Sequence, residues 1–218
     1  PRLLKGGGRY TDDVQVAGQA HGVLLRSPHA HAAITSIATE AAKAMPGVLG
    51  IYTAADLKAD GIGPIPCVIP MKNVDGSRRA ETPRLALAED RVRHVGDPVA
   101  FIVAATAKQA RDAAEAIEVD YDILPSVTDL ATATEPGQPQ VWDGAPNNTC
   151  FEWHAGDKAK TEELFAKAAH VTTLKVVNNR IVVSSMEARA AVAEYDTARQ
   201  HWTLTTNTQG SWLVQQLL

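Results

Sequence analysis

Cysteine is nearly absent from this chain: among 218 residues only Cys67 and Cys150 occur. They lie far apart in sequence and in no metal-ligand spacing. A chain this long can bury roughly 70% of its unfolded surface, so it needs no disulfide to hold a core. The scarcity therefore points to a reducing, cytoplasmic compartment. An excess of one charge is missing too: 21 Lys and Arg stand against 25 Asp and Glu, for a net charge of −4. The basic pair Arg78–Arg79 is flanked by Asp75 and Glu81, which leaves no basic block to track phosphates and argues against nucleic acid as a partner. No apolar run approaches the ~18 residues that cross a bilayer, and residues 1–5 lack a signal-peptide core, so no membrane span is expected.

Several chemical motifs are absent as well. Gly6–Gly8 opens a G-x-G-x-x-G pattern, but Thr11 stands where the third glycine belongs and no strand precedes it. The chain has neither a Walker-type phosphate loop nor a Gly-x-Ser-x-Gly elbow. Gly and Pro, 15 and 12 residues, are at ordinary globular frequency, which excludes collagen and wholesale disorder.

What is there reads as an α/β protein with a mixed sheet. Residues 19–27 form an apolar strand closed by Ser27–Pro28; 30–39 alternate; 41–44 suit a short helix that Met45–Pro46–Gly47 ends. Val48–Tyr52 is a second compact strand, and 58–84 reads as a long Gly- and Pro-containing loop. The clearest unit follows. Val99–Ala105 is continuous and apolar, fit for a strand buried on both faces. Thr106 and Gln109 have capping-box spacing, and Ala110, Ala113, Ala114 and Ile117 recur on one helical face. Glu118–Ile123 alternates as the next strand. Residues 131–149 hold Pro136, Gly137, Pro139, Gly144 and Pro146 and read as a linker between a domain at 1–130 and a second segment at 150–218. In that segment 162–169 is expected to be helical with Leu164, Phe165, Ala168 and Ala169 inward. Residues 170–177, 190–195 and 202–206 are expected as strands, the last two joined by the turn Asp196–Gln200. A helix begins near Gly210.

Few residues suggest chemistry on their own. His29 and His31 form an H-x-H pair, but no third ligand follows at suitable spacing, so no metal ligand is assigned. Asp12 and Asp13 are adjacent and on a strand would face opposite ways. Glu115, Glu118, Asp120 and Asp122 read as a solvated acidic face. Gly96–Asp97–Pro98 reads as a turn whose carboxylate accepts backbone N–H groups. Thr208–Gln209–Gly210 lies between the last strand and the terminal helix, where an amide and free backbone N–H groups can meet an anionic or oxo ligand.

Together these pieces resemble one family. Gly8-Arg9-Tyr10-Thr11-Asp12-Asp13 and Arg26-Ser27-Pro28-His29-Ala30-His31 are similar to the start of molybdenum hydroxylase large subunits, the family of xanthine dehydrogenase, aldehyde oxidase and aerobic carbon monoxide dehydrogenase. Val95-Gly96-Asp97-Pro98-Val99-Ala100, Ala113-Ala114-Glu115 and Val119-Asp120-Tyr121 resemble its α/β hammerhead domain. Met186-Glu187-x-Arg189 and Thr208-Gln209-Gly210 resemble the opening of its molybdopterin-binding domain. Ala188 departs from the family's usual proline, and Ser211–Trp212 from its usual Pro–His.

The resemblance implies a hammerhead domain at 1–130, a linker at 131–149 and the N-terminal part of a molybdopterin-binding domain at 150–218. It implies that Gln209 hydrogen-bonds an oxo ligand of molybdenum, with Gly210 beside it, and that the chain carries no catalytic residue and no metal ligand. The family's glycine-rich loop and catalytic glutamate are not matched by any residue here, and the chain ends inside an apparent helix. The expectation is thus an N-terminal piece of an oxidoreductase that acts on a small aldehyde, N-heterocycle or carbon monoxide with water as oxygen source. Its cofactor would be molybdenum–molybdopterin, in the cytosine dinucleotide form. Its partners would be the remainder of the large subunit and FAD-binding and iron–sulfur subunits or domains. By itself the piece would bind no cofactor and be inactive. The alternative is a stand-alone, non-catalytic scaffold or partner-binding module.

Overall fold

The computed structural model describes residues 1–67, 71–179 and 181–218. The chain divides into two compact units, one formed by Gly18–His154 and one by Pro1–Ala17 together with Ala155–Leu218. In chain order the first contains β1 (His21–Arg26), β2 (Ala32–Ala38), α1 (Glu40–Lys43), β3 (Val48–Thr53), α2 (Ala54–Ala59), β4 (Arg91–Val92), β5 (Pro98–Ala104), α3 (Ala107–Glu115) and β6 (Glu118–Ile123). The second contains α4 (Lys158–Lys167), β7 (Ala191–Asp196), β8 (His201–Thr206) and α5 (Ser211–Leu217).

The expected α/β class holds. The strand–helix–strand unit around Thr106 is present, but its two strands enter different sheets. β5 is the centre of a sheet ordered β1-β5-β3, while β6 is an edge of a sheet ordered β4-β2-β6. Every strand pairing described in these sheets is antiparallel. α3 packs on β5 through the four positions its periodicity marks: Ala110 and Ala113 are fully buried, and Ala114 and Ile117 nearly so. Ala100, Ile102 and Ala104 meet them from β5. Small side chains on both surfaces let the helix axis approach the sheet closely, with Ile102 filling the space between. Val99 points into a second cluster with Ala32, Ala88 and Val92. Burial of β5 on both faces is incomplete, because Phe101 turns outward and stays 37% exposed.

The capping interaction at α3 is half of the expected box. The Thr106 hydroxyl accepts the Gln109 N–H at 3.2 Å, as expected. The Gln109 side chain does not reach a backbone donor; its Oε1 accepts from the Thr106 hydroxyl at 2.9 Å. The loop expected from 58 is preceded by α2, whose Asp56 carboxylate accepts the Thr53 N–H at 2.6 Å and the Thr53 hydroxyl at 2.8 Å. Part of the loop itself, 68–70, lies outside the described residues.

In the second unit the hairpin of β7 and β8 forms as expected, with Asp196 Oδ1 accepting from Ala198 N–H at 2.9 Å and Arg199 N–H at 3.1 Å in its turn. α4 starts earlier than expected because Asp157 caps it, accepting the Lys160 N–H at 2.8 Å. The inward face expected for α4 is not found: Leu164 and Phe165 are exposed, and Ala168 and Ala169 lie beyond its end, also exposed. Residues 170–177 form no strand, since no described segment pairs with them.

Candidate functional site

The hairpin register decides which residues meet. Ala191 pairs with Thr206 at the open end, and Tyr195 with Trp202 near the turn. Antiparallel pairing therefore brings the residues before β7 and those after β8 to one place. The Thr206 hydroxyl fixes this junction by donating to the Ala190 carbonyl at 2.9 Å. A cleft of about 830 Å³ opens there, lined by Arg189, Ala190, Ala191, Thr206, Asn207, Thr208 and Gln209. Arg189 of Met186-Glu187-x-Arg189 and Thr208 and Gln209 of Thr208-Gln209-Gly210, separate in sequence, thus line a single cleft.

Within the cleft Gln209 and Thr208 are exposed, and Gly210 is half-buried. The Thr208 hydroxyl accepts the Gly210 N–H at 3.1 Å, which leaves its own O–H available to donate. Among the described residues no carboxylate pairs with Arg189, so its guanidinium is the cleft's uncompensated cation. The lining contains no cysteine, histidine or carboxylate. Such a donor set offers no thiolate, imidazole or carboxylate ligand. It does suit an anionic, hydrogen-bonding group that brings its own metal ligands: a neutral amide, a hydroxyl and a guanidinium can all donate to oxygen.

A third motif joins from the N-terminus. Residues Thr11–Asp13 form a 3₁₀ turn rather than the strand considered for Asp12 and Asp13, with Asp13 Oδ2 accepting the Tyr10 N–H at 2.8 Å. Thr11 is buried, and both its N–H and its hydroxyl point to Glu187 Oε1 at 3.4 Å. Thr11, Glu187 and Arg189 have no individual signal in the sequence beyond their places in the motifs that resemble one family.

The remaining candidates are structural. His29 packs edge-on against Tyr121, with ring centroids 4.9 Å apart. His31 is buried and its Nδ1 lies 2.9 Å from the Pro125 carbonyl oxygen. Among the described residues no three His, Cys, Asp or Glu side chains gather to hold a metal ion. Asp97 is the expected turn residue: its carboxylate accepts the Arg93 N–H at 2.9 Å. Ser27 N–H donates to the Asp97 carbonyl at 2.9 Å and Gly96 N–H to the Ser27 carbonyl at 2.8 Å, so the Arg26–His31 and Val95–Ala100 segments are laced together. Glu118, Asp120 and Asp122 alternate outward along β6, where charge on an edge strand discourages pairing with other chains. No helix among the described residues is long and apolar enough to cross a membrane.

Comparison with known proteins matches the motifs. Residues 5–125 fit the family model "Aldehyde oxidase and xanthine dehydrogenase, a/b hammerhead domain". Residues 141–218 fit the model "Molybdopterin cofactor-binding domain". The chain is 35% identical to the carbon monoxide dehydrogenase large chain of Afipia carboxidovorans, over 93% of this chain and 25% of that one. It is 33% identical to the nicotine 6-hydroxylase large subunit of Paenarthrobacter nicotinovorans, over 100% of this chain and 26% of that one. The solved structure of reconstituted CO dehydrogenase from Oligotropha carboxidovorans aligns with a TM-score of 0.83 and 35% identity, covering 99% of this chain and 27% of that one. The chain thus spans about a quarter of the length of these relatives. With its hammerhead model matched over more than half its length, this chain belongs to the aldehyde oxidase and xanthine dehydrogenase family.

Proposed function

We propose that this chain forms part of the large subunit of a molybdenum–pterin oxidoreductase that oxidises or hydroxylates a small molecule, with water as the source of oxygen. An aldehyde, an N-heterocycle or carbon monoxide are the substrate classes. The observation that carries this reading is the convergence of Arg189, Thr208 and Gln209 on one cleft in a chain that matches both family models. When bound, the molybdenum–pterin group supplies the two-electron redox chemistry and the transfer of oxygen.

The chain's own residues bind and orient. Gln209 offers an N–H donor without adding a charge next to the metal centre, and Gly210 leaves room beside it. The Thr208 hydroxyl donates alongside. Arg189 places a permanent positive charge where an anionic group enters, and its fork of donors can engage two oxygens at once. None of these residues exchanges a proton with substrate, so the catalytic base and the electron path belong to other parts of the enzyme.

Residues 1–130 act as the hammerhead domain, 131–149 as a linker and 150–218 as the start of the cofactor-binding domain. The pterin carries a cytosine dinucleotide. Iron–sulfur and FAD groups reside on partner subunits or domains, since the two cysteines here cannot hold a cluster. The enzyme is cytoplasmic, and this chain alone neither retains the cofactor nor turns over substrate. The test is Gln209→Ala in the intact enzyme: turnover falls while the unfolding midpoint is unchanged. Unaltered turnover and molybdenum content would remove Gln209 from the site, and a wild-type enzyme that purifies without molybdenum would sink the functional reading.

A further inference from the structure

We infer that Thr11 is a positioning residue for the cofactor cleft, holding Glu187 so that Arg189 stays free to receive an anionic group. This rests on the functional reading above. The hammerhead family model includes position 11, yet the structure places Pro1–Ala17 in the compact unit that contains the cleft. The turn that presents Thr11 is fixed at both ends, by the Tyr10 N–H on Asp13 Oδ2 at 2.8 Å and by the Val14 N–H on the Thr11 carbonyl at 3.1 Å. From it two donors of one buried residue converge on a single carboxylate oxygen of the half-buried Glu187, each at 3.4 Å.

Charge explains why that matters. Glu187 lies two residues before Arg189 in a non-strand segment, near enough along the chain for the two opposite charges to pair. Such a pair would neutralise the cation that lines the cleft. Thr11 gives the carboxylate other hydrogen-bond partners, and no carboxylate among the described residues reaches Arg189. Each contact is long, but the two act together on one charged acceptor oxygen. The N-terminal turn therefore keeps the cleft positive from 176 residues away in sequence.

The experiment uses the assembled enzyme and reads molybdenum rather than turnover. Wild type, Thr11→Val, Thr11→Ser and Glu187→Ala are purified, and the rate of molybdenum loss is followed by elemental analysis after dilution into chelator. Thr11→Val, which keeps the shape and loses the hydroxyl, is expected to release molybdenum roughly five- to tenfold faster. Thr11→Ser, which restores the hydroxyl, is expected to match wild type. In a Glu187→Ala background Thr11→Val is expected to add no further change, because its acceptor has gone. A molybdenum-loaded wild type whose Thr11→Val variant holds the metal equally long overturns the inference alone. So does a Thr11→Ser variant as leaky as Thr11→Val, or an unreduced effect of Thr11→Val without Glu187. If Thr11→Val does not assemble, Thr11→Ala takes its place: faster molybdenum loss supports the role, and loss at the wild-type rate overturns it.

Discussion

Gly47, at φ +82°, lies so close to the side-chain amide of Gln109 that a Cβ at position 47 would overlap it. The same Gln109 accepts the Thr106 hydroxyl at the start of α3, and Ala105 N–H donates to the Gly47 carbonyl at 2.8 Å. The turn before β3 and the first turn of α3 are thereby locked together. Gly47→Ala forces an alanine into a left-handed backbone and displaces the Gln109 amide from the helix start, and should destabilise the protein by about 1–2 kcal/mol. Urea unfolding checks this; a loss below about 0.5 kcal/mol would show the turn to be looser than described.

Gly22 offers the contrast. A Cβ there would meet the tip of the Phe101 ring, with the nearest ring carbon at 2.5 Å, but the backbone is not left-handed. The ring is partly exposed and can swing away, and an extended alanine carries no backbone strain. Gly22→Ala should therefore cost less than about 1 kcal/mol. A loss matching that of Gly47→Ala would mean that Phe101 is held far more firmly than its exposure suggests.

Ala113 has no exposed surface and faces β5. Replacing it with aspartate buries an unpaired carboxylate or forces the helix off the sheet, at a cost of about 3 kcal/mol or more. Lys108→Ala on the exposed face of the same helix should change stability by less than about 0.5 kcal/mol. Equal effects at the two sites would contradict the packing of α3.

That helix was legible in the sequence because its signal is local: four apolar residues at helical spacing behind a capping threonine. α2 escaped because six residues hold no apolar repeat, although Thr53 and Asp56 carried a start signal. The strand expected at 170–177 shows the opposite failure. Its apolar residues suit a strand, but a strand needs a partner, and Val171, Leu174, Val176 and Val177 lie exposed without one. The same limit applies to the candidate site. Gln209 could be read from its motif, whereas the approach of Thr11 to Glu187 depends on contacts that no local pattern encodes.

Asp56 provides a pH test. Hydrogen bonds from the Thr53 N–H and hydroxyl hold its carboxyl below the ordinary aspartate value. A depressed folded-state value means that the contribution is complete above the unfolded aspartate pKa of about 3.9 and is lost as pH falls through the lower folded value. Wild type should therefore exceed Asp56→Asn in stability at pH 6, with the gap closing as pH drops below about 4. Urea midpoints measured across that range decide the matter; a gap that widens on acidification would reverse the sign.

The hairpin that gathers the cleft also separates it from its own turn. Each strand of six residues extends about 20 Å at the usual rise, so the tip at Thr197–Gln200 stands a strand's length from Arg189 and Gln209. An epitope or fluorophore grafted between Thr197 and Gln200 leaves the pairing of Ala191 with Thr206 untouched, because the register is carried by the arms. Removing one residue from β8 instead turns each succeeding side chain to the opposite face and carries Thr208 and Gln209 away from Arg189. The loop tip is thus a tolerant handle for labelling, and the arms are a ruler that cannot be shortened by a single mark.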